Sequence, residues 1–145
     1  MSRPKNNRLV YEPPLFSEFK PVGVAAKSLQ QNRLAIDEYE AVRLADYQGF
    51  SHEEAAEEMR ISRSTFSRLV DTARKKIADS IVNGKVLIIE GGSIHFRNNI
   101  IRCMGCGNIF KIRMNRALLK CPECQSTRLQ NLAGGFGHGR CCSYF

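Results

Sequence analysis

The sequence predicts a mainly α-helical protein: a three-helix domain, then a short β-hairpin and a small β-rich module at the C-terminus. Three observations carry that prediction. Apolar residues recur at three- and four-residue spacing between residues 34 and 84, the period of helices with one buried face. Beyond Lys85 the chemistry changes to short runs of β-branched residues broken by Gly91-Gly92. Two Cys-x2-Cys pairs, Cys103/Cys106 and Cys121/Cys124, then punctuate the last third of the chain.

Taken in order, residues 1–33 form an extended basic arm. Arg3, Lys5, Arg8 and Lys20 are interspersed with Pro4, Pro13, Pro14 and Pro21, and proline fixes φ and removes backbone donors, which argues against a long helix. The arm is expected to pack through Leu15, Phe16, Phe19 and Val22. Residues 34–84 are the helical domain. Its first helix, residues 34–48, is expected to start at a capping box of Asp37 and Glu40, to bury Tyr39, Val42 and Ala45, and to stop at Gly49.

Ser51 and Glu54 make a second capping box, so another helix should begin at His52 and bury Ala55, Ala56 and Met59. Arg60-Ile61 turns the chain, and Ser62 is a good N-cap for a third, longer helix. Phe66, Leu69, Val70, Ala73, Ile77 and Ile81 form its inward stripe, and Asn83-Gly84 its stop. Short helix, tight turn and long basic helix make a helix-turn-helix pattern. On its outer side, Arg63, Ser64, Thr65, Ser67 and Arg68 suit base edges in a major groove, while Arg74, Lys75 and Lys76 suit phosphates. The competing reading is a structural helical pair with a solvated polar face. The basic helix in a basic protein favours DNA.

The stretch LADYQGFSHEEAAEEMRISRSTFSRLVDTARKKIADSIVNG resembles the helix-turn-helix of region four in bacterial sigma factors. More closely, it is similar to a family of small predicted DNA-binding proteins, domain of unknown function 134. The opening SRPKNNRLVYEPPLFSEFKPVGV and the later GKVLIIEGG share the likeness, which covers residues 1–92. It implies a sigma-like three-helix DNA-binding unit whose recognition helix opens over residues 62–69. One position departs: such turns usually carry Gly where this chain has Arg60, a difficulty if that residue needs positive φ.

Residues 85–99 read as a β-hairpin or connector, with His95 on its polar side as a surface residue. Residues 100–132 read as a metal module. Four thiolates spaced as Cys103, Cys106, Cys121 and Cys124 suit the tetrahedral coordination of structural Zn²⁺. The pattern resembles a zinc ribbon, with Gly105, Gly107 and Pro122 in its knuckles. Iron is the weaker rival: CPEC resembles a rubredoxin loop, yet Phe110 is the sole aromatic between the pairs. Residues 133–145 form a Gly/Cys-rich tail. Its His138, Cys141 and Cys142 are either incidental reduced residues or a second metal or redox site.

Composition bounds the function. The 145 residues carry a formal charge of +8, which favours an acidic partner. Basic and acidic side chains number six and two in residues 1–33, seven and ten in 34–84, and nine and two in 85–145, so the excess lies outside the helices. No apolar run reaches membrane-spanning length, the expected location is cytoplasmic, and six cysteines in a reducing compartment favour metal over disulfides. No triad, carboxylate pair or phosphate loop points to an enzyme. The sequence therefore predicts a DNA-binding transcriptional regulator with one structural zinc site. Its expected partners are double-stranded DNA, RNA polymerase or another protein at the ribbon, and a second copy of the chain. The alternatives are a zinc-ribbon adaptor for protein or RNA and a rubredoxin-like electron carrier.

Overall fold

The computed structural model describes residues 7–116 and 119–142. Arg3, Pro4 and Lys5 of the expected arm, and residues 143–145 of the tail, lie outside them. The mainly α expectation is overturned: among the described residues 38% are helix and 23% strand, in four helices and three sheets, a mixed α/β fold. Helical period reveals each amphipathic helix locally, but strands of two to four residues acquire their identity from partners far away in the chain.

The strands are β1 (Arg8–Val10), β2 (Glu18–Phe19), β3 (Gln31–Leu34), β4 (Val86–Ile89), β5 (Ile94–Phe96), β6 (Asn98–Cys103), β7 (Ile109–Arg113) and β8 (Leu129–Asn131). The helices are α1 (Ile36–Val42), α2 (His52–Met59), α3 (Arg63–Asn83) and α4 (Leu132–Gly135). β1 and β5 pair with each other as a two-stranded sheet. The expected 85–99 hairpin does not form, because β4 and β5 belong to different sheets. The chain divides into two compact units. The first ends at Leu9 and resumes over Phe16–Ile94; the second comprises Val10–Leu15 and the chain from His95 onward.

In the first unit β4 is the middle strand. It runs antiparallel to β2, with Glu18 opposite Ile88, and parallel to β3, with Gln31 opposite Val86 and Leu34 opposite Ile89. A parallel pair needs a crossover, and here α1, α2 and α3 supply it. The arm is thus partly sheet, and its expected anchors are exposed, Val22 fully so; Leu9 and Leu34 are buried instead. Ala41, Leu44, Ala55, Ala56, Met59, Phe66 and Val70 form the helical core. Asn32 of β3 fastens α3 by donating to the Lys76 carbonyl (2.9 Å) and the Asp79 carboxylate (3.2 Å).

The first helix starts differently from the expectation. Its N-cap is Ala35, whose N–H donates to Glu38 Oε1 at 2.9 Å, so Glu38 rather than the Asp37/Glu40 pair closes the end. After Val42 it widens into a π-helical turn, Arg43–Tyr47, and Gly49 follows at φ 75°. Asp37, Glu38 and Glu40 are all buried, and each meets a cation: Arg8, Lys76 and Arg43 respectively. Ser51 and Glu54 cap α2 reciprocally, both bonds at 3.1 Å, and the backbone N–H donated by Ser51 holds the Glu54 carboxyl below its usual range. Near the end of α3 the expected stripe fails: Ile81 is exposed and Ser80 is buried, its hydroxyl bonded to the Lys76 carbonyl.

In the second unit β6 is central and antiparallel to both β7 and β8, with Ile101 opposite Phe110 on one side and Asn131 on the other. Buried Asn99 organises its edge. Its amide donates to Asn131 Oδ1 at 2.8 Å, while its own oxygen accepts the Ala133 N–H at the start of α4. Val10, Phe96, Ile100, Ile101, Leu132 and Ala133 supply apolar burial.

Candidate functional site

Cys103 ends β6 and Cys106 lies in the turn toward β7; Cys121 and Cys124 flank an equivalent turn. The two turns are built alike. The Cys103 N–H donates to the Asn108 carbonyl and the Cys103 carbonyl accepts from Gly107; Cys121 relates to Ser126 and Gln125 in the same way, at 2.8–2.9 Å throughout. Gly107 (φ 78°) and Gln125 (φ 60°) both adopt the left-handed conformation that lets the chain reverse beneath a sulfur. The four sulfurs lie within 4.8 Å of one another, with Cys103–Cys124 at 3.5 Å and Cys106–Cys121 at 3.7 Å. A zinc ion with bonds of ~2.3 Å to each sulfur gives tetrahedron edges of ~3.8 Å, so this cluster fits one. The N–H groups of Cys106 and Gly105 aim at Cys103 Sγ and pull its thiol down to about 6. Cys106 accepts the Asn108 N–H, yet desolvation and its three neighbouring sulfurs leave it pushed up to about 12. Four thiols this close cannot all ionise without a cation among them.

A second cluster joins the tail to β5. His95, His138, Cys141 and Cys142 bring their ligand atoms within 4.8 Å of one another. His138 Nδ1 is 3.4 Å from both sulfurs, the two sulfurs are 3.6 Å apart, and His95 Nδ1 is 3.6 Å from Cys142 Sγ. Burial pushes the Cys142 thiol up to about 11, against a backbone N–H from Phe96. Burial also lowers His138, helped by the neighbouring His95.

The α2–α3 junction presents the residues expected to meet DNA. Arg60 stands at φ 57°, ψ 44° as the C-cap of α2, the left-handed conformation that makes glycine the common choice. Ser62 caps α3 by accepting the Thr65 N–H, and its hydroxyl lies 3.3 Å from Ser64 and 2.8 Å from the Thr65 hydroxyl. Ser67 Oγ lies 2.8 Å from His52 Nδ1. Arg63, Ser64 and Arg68 are exposed, and among the described residues neither arginine forms an ion pair. Arg74, Lys75 and Lys76 are each occupied, by Asp46 (2.7 Å), Asp71 (3.3 Å) and Glu38 (2.7 Å).

The family model described as "Protein of unknown function DUF134" matches residues 1–97. The chain belongs to this DUF134 family. It is 46% identical over 143 residues to a UPF0251 protein of Chloroherpeton thalassium, covering 97% of this chain and 95% of the relative. A UPF0251 protein of Caldicellulosiruptor bescii is 39% identical over 141 residues (97% and 95% covered), and one of Moorella thermoacetica 40% over 142 (97% and 93%). No solved structure matches the chain. The DUF134 match contains all of α1, α2 and α3 and ends before the first cysteine, whereas the UPF0251 alignments extend over nearly the whole chain.

All four cysteines of the paired motifs come together in this DUF134 protein, as do His138, Cys141 and Cys142. His95 is the member that the sequence does not signal. Alternation placed it on a polar strand face, and nothing local signals that a segment some forty residues later returns to it. No helix among the described residues is long and apolar enough to cross a membrane.

Proposed function

We propose that this chain is a sequence-specific DNA-binding protein that regulates transcription, with α2 and α3 as the reading unit and Cys103, Cys106, Cys121 and Cys124 holding a structural zinc ion. The observation that carries the reading is the N-terminal end of α3. There Arg63, Ser64 and Arg68 stand exposed on a helix started by a fixed Ser62 cap, with both guanidiniums outside any ion pair among the described residues. Arginine is the side chain best suited to guanine edges, and a protein of charge +8 is drawn to a polyanion.

Charge also sets the orientation. Glu53, Glu54, Glu57 and Glu58 are exposed on α2 and would be repelled by phosphate, so α2 turns that face away while α3 enters the groove end-on. Arg74 and Lys76 neutralise Asp46 and Glu38, which leaves Lys75, in a loose pair on the surface, as the phosphate contact on the body of α3. Zinc bound at the four cysteines supplies a cross-link between two turns and no reaction step.

Selection of duplexes from a random DNA pool, with zinc-loaded protein at physiological salt, tests the reading. One enriched motif supports it. Salt-sensitive binding without a motif would reject sequence-specific reading in favour of a zinc-ribbon adaptor with basic surfaces.

A further inference from the structure

We infer that His95, His138, Cys141 and Cys142 form a second metal site, specific for a borderline-soft divalent cation of the zinc class, which ties the turn at Arg140–Cys142 to β5. This goes beyond the proposed DNA binding and does not depend on it.

The donor set is mixed and complete. Two imidazole nitrogens and two sulfurs make four ligands, with nitrogen–sulfur separations of 3.4, 3.4 and 3.6 Å and a sulfur–sulfur separation of 3.6 Å. A tetrahedral ion with bonds of ~2.0–2.1 Å to nitrogen and ~2.3 Å to sulfur places such pairs ~3.6 and ~3.8 Å apart. Among the described residues no carboxylate joins the cluster, and a donor set of nitrogen and sulfur disfavours magnesium and calcium.

The surrounding backbone is organised for ligation. The Phe96 N–H lies 3.3 Å from Cys142 Sγ, the same device by which Gly105 meets Cys103. Left-handed Gly137 (φ 81°) precedes His138, whose N–H donates to the Ala133 carbonyl at 2.9 Å; the Cys142 N–H donates to the Gly139 carbonyl at 3.0 Å. These bonds direct β5 and the returning tail at one point. Packing alone does not require two imidazoles and two sulfurs to converge there, with His138 also set edge-on against Phe96. Binding releases two thiol protons to solvent and leaves a neutral complex of two thiolates and two imidazoles, in contrast to the doubly anionic four-thiolate site. The second site is therefore the weaker and more exchangeable of the two.

Anaerobic titration of the metal-free full chain with Co²⁺ tests this, because sulfur-to-cobalt charge-transfer bands report thiolate ligation. The wild type should bind two equivalents, the weaker with roughly half the charge-transfer intensity of the tighter because it has half the thiolates. Cys141→Ser/Cys142→Ser and, separately, His138→Ala should each abolish the weaker step and keep the four-thiolate spectrum, which doubles as proof of folding. Should that spectrum be lost in the double variant, the His138→Ala titration decides. A single equivalent in the wild type, an unaltered second step in His138→Ala, or a Cys141–Cys142 disulfide in metal-loaded protein would overturn the site.

Discussion

Lys76 Nζ lies 2.7 Å from Glu38 Oε1, a carboxylate whose side chain is 7% exposed. Glu38 therefore does two things at once: it accepts the Ala35 N–H at the start of α1 and receives the charge of a lysine on the middle of α3. Truncating one partner of such a pair leaves a charge without compensation. Because Lys76 is one-third exposed, Lys76→Met should cost about 1–3 kcal/mol, below the full penalty of a sealed pair. Urea denaturation checks this, and Lys76→Met/Glu38→Gln should recover part of the loss.

Arg60 occupies the left-handed region at the hinge between α2 and α3. A non-glycine residue there carries roughly 1 kcal/mol of steric strain. Arg60→Gly should consequently raise the melting temperature by a few degrees with no change in the caps on either side. An unchanged or lower melting temperature would show that the arginine side chain compensates for its backbone.

Much of the helical domain was legible because its signals are local. Ser51 and Glu54, Ser62, and Gly84 at φ 63° start and stop α2 and α3 where their chemistry requires. The paired cysteines were legible for the same reason, since each turn is closed by bonds within six residues. Long-range placement was not. Phe16 and Phe19 look like core residues in sequence yet are exposed, Phe19 on β2 at the edge of its sheet and Phe16 in the segment before it; Asp37 looks like a cap yet is buried against Arg8. His95 joined a cluster only once the chain near His138 returned to it.

Asp46 and Arg74 give the clearest pH dependence. The hydrogen bond from Arg74 holds the Asp46 carboxyl below its ordinary 3.8. A depressed carboxylate contributes stability that is fully present above its unfolded value and is lost as pH falls through the folded one. Both side chains are over 40% exposed, so solvent screening limits the contribution to ~0.5 kcal/mol. Asp46→Asn should thus be slightly less stable at neutral pH and lose less stability below about pH 4; equal acid slopes in thermal melts would refute the link.

The zinc reading predicts a large effect from one buried sulfur. Cys121 is 1% exposed and its N–H closes the second turn on Ser126. Cys121→Ser should lower the zinc content and destabilise the protein by about 4 kcal/mol or more. Hydrogen exchange should show lost protection at the amides of Gly107 and Gln125, which reverse the chain beneath the sulfurs. Retained protection would mean that the turns hold themselves without metal.

The proposed DNA-binding reading assigns base reading to Arg68 and phosphate binding to Lys75 on a single helix. Arg68 lies on the exposed side near the start of α3, two turns before Lys75, whose ion-pair partner among the described residues is Asp71 on the surface. If α3 enters the groove by its N-terminal end, Arg68→Ala should cost about 1–3 kcal/mol on the selected duplex and relax preference at one position. Lys75→Ala should weaken all duplexes about equally and reduce the slope of log affinity against log salt by roughly one. Binding isotherms on matched and scrambled duplexes at several salt concentrations distinguish the two. Should both variants change only the salt slope, α3 lies along the phosphates and base reading belongs elsewhere.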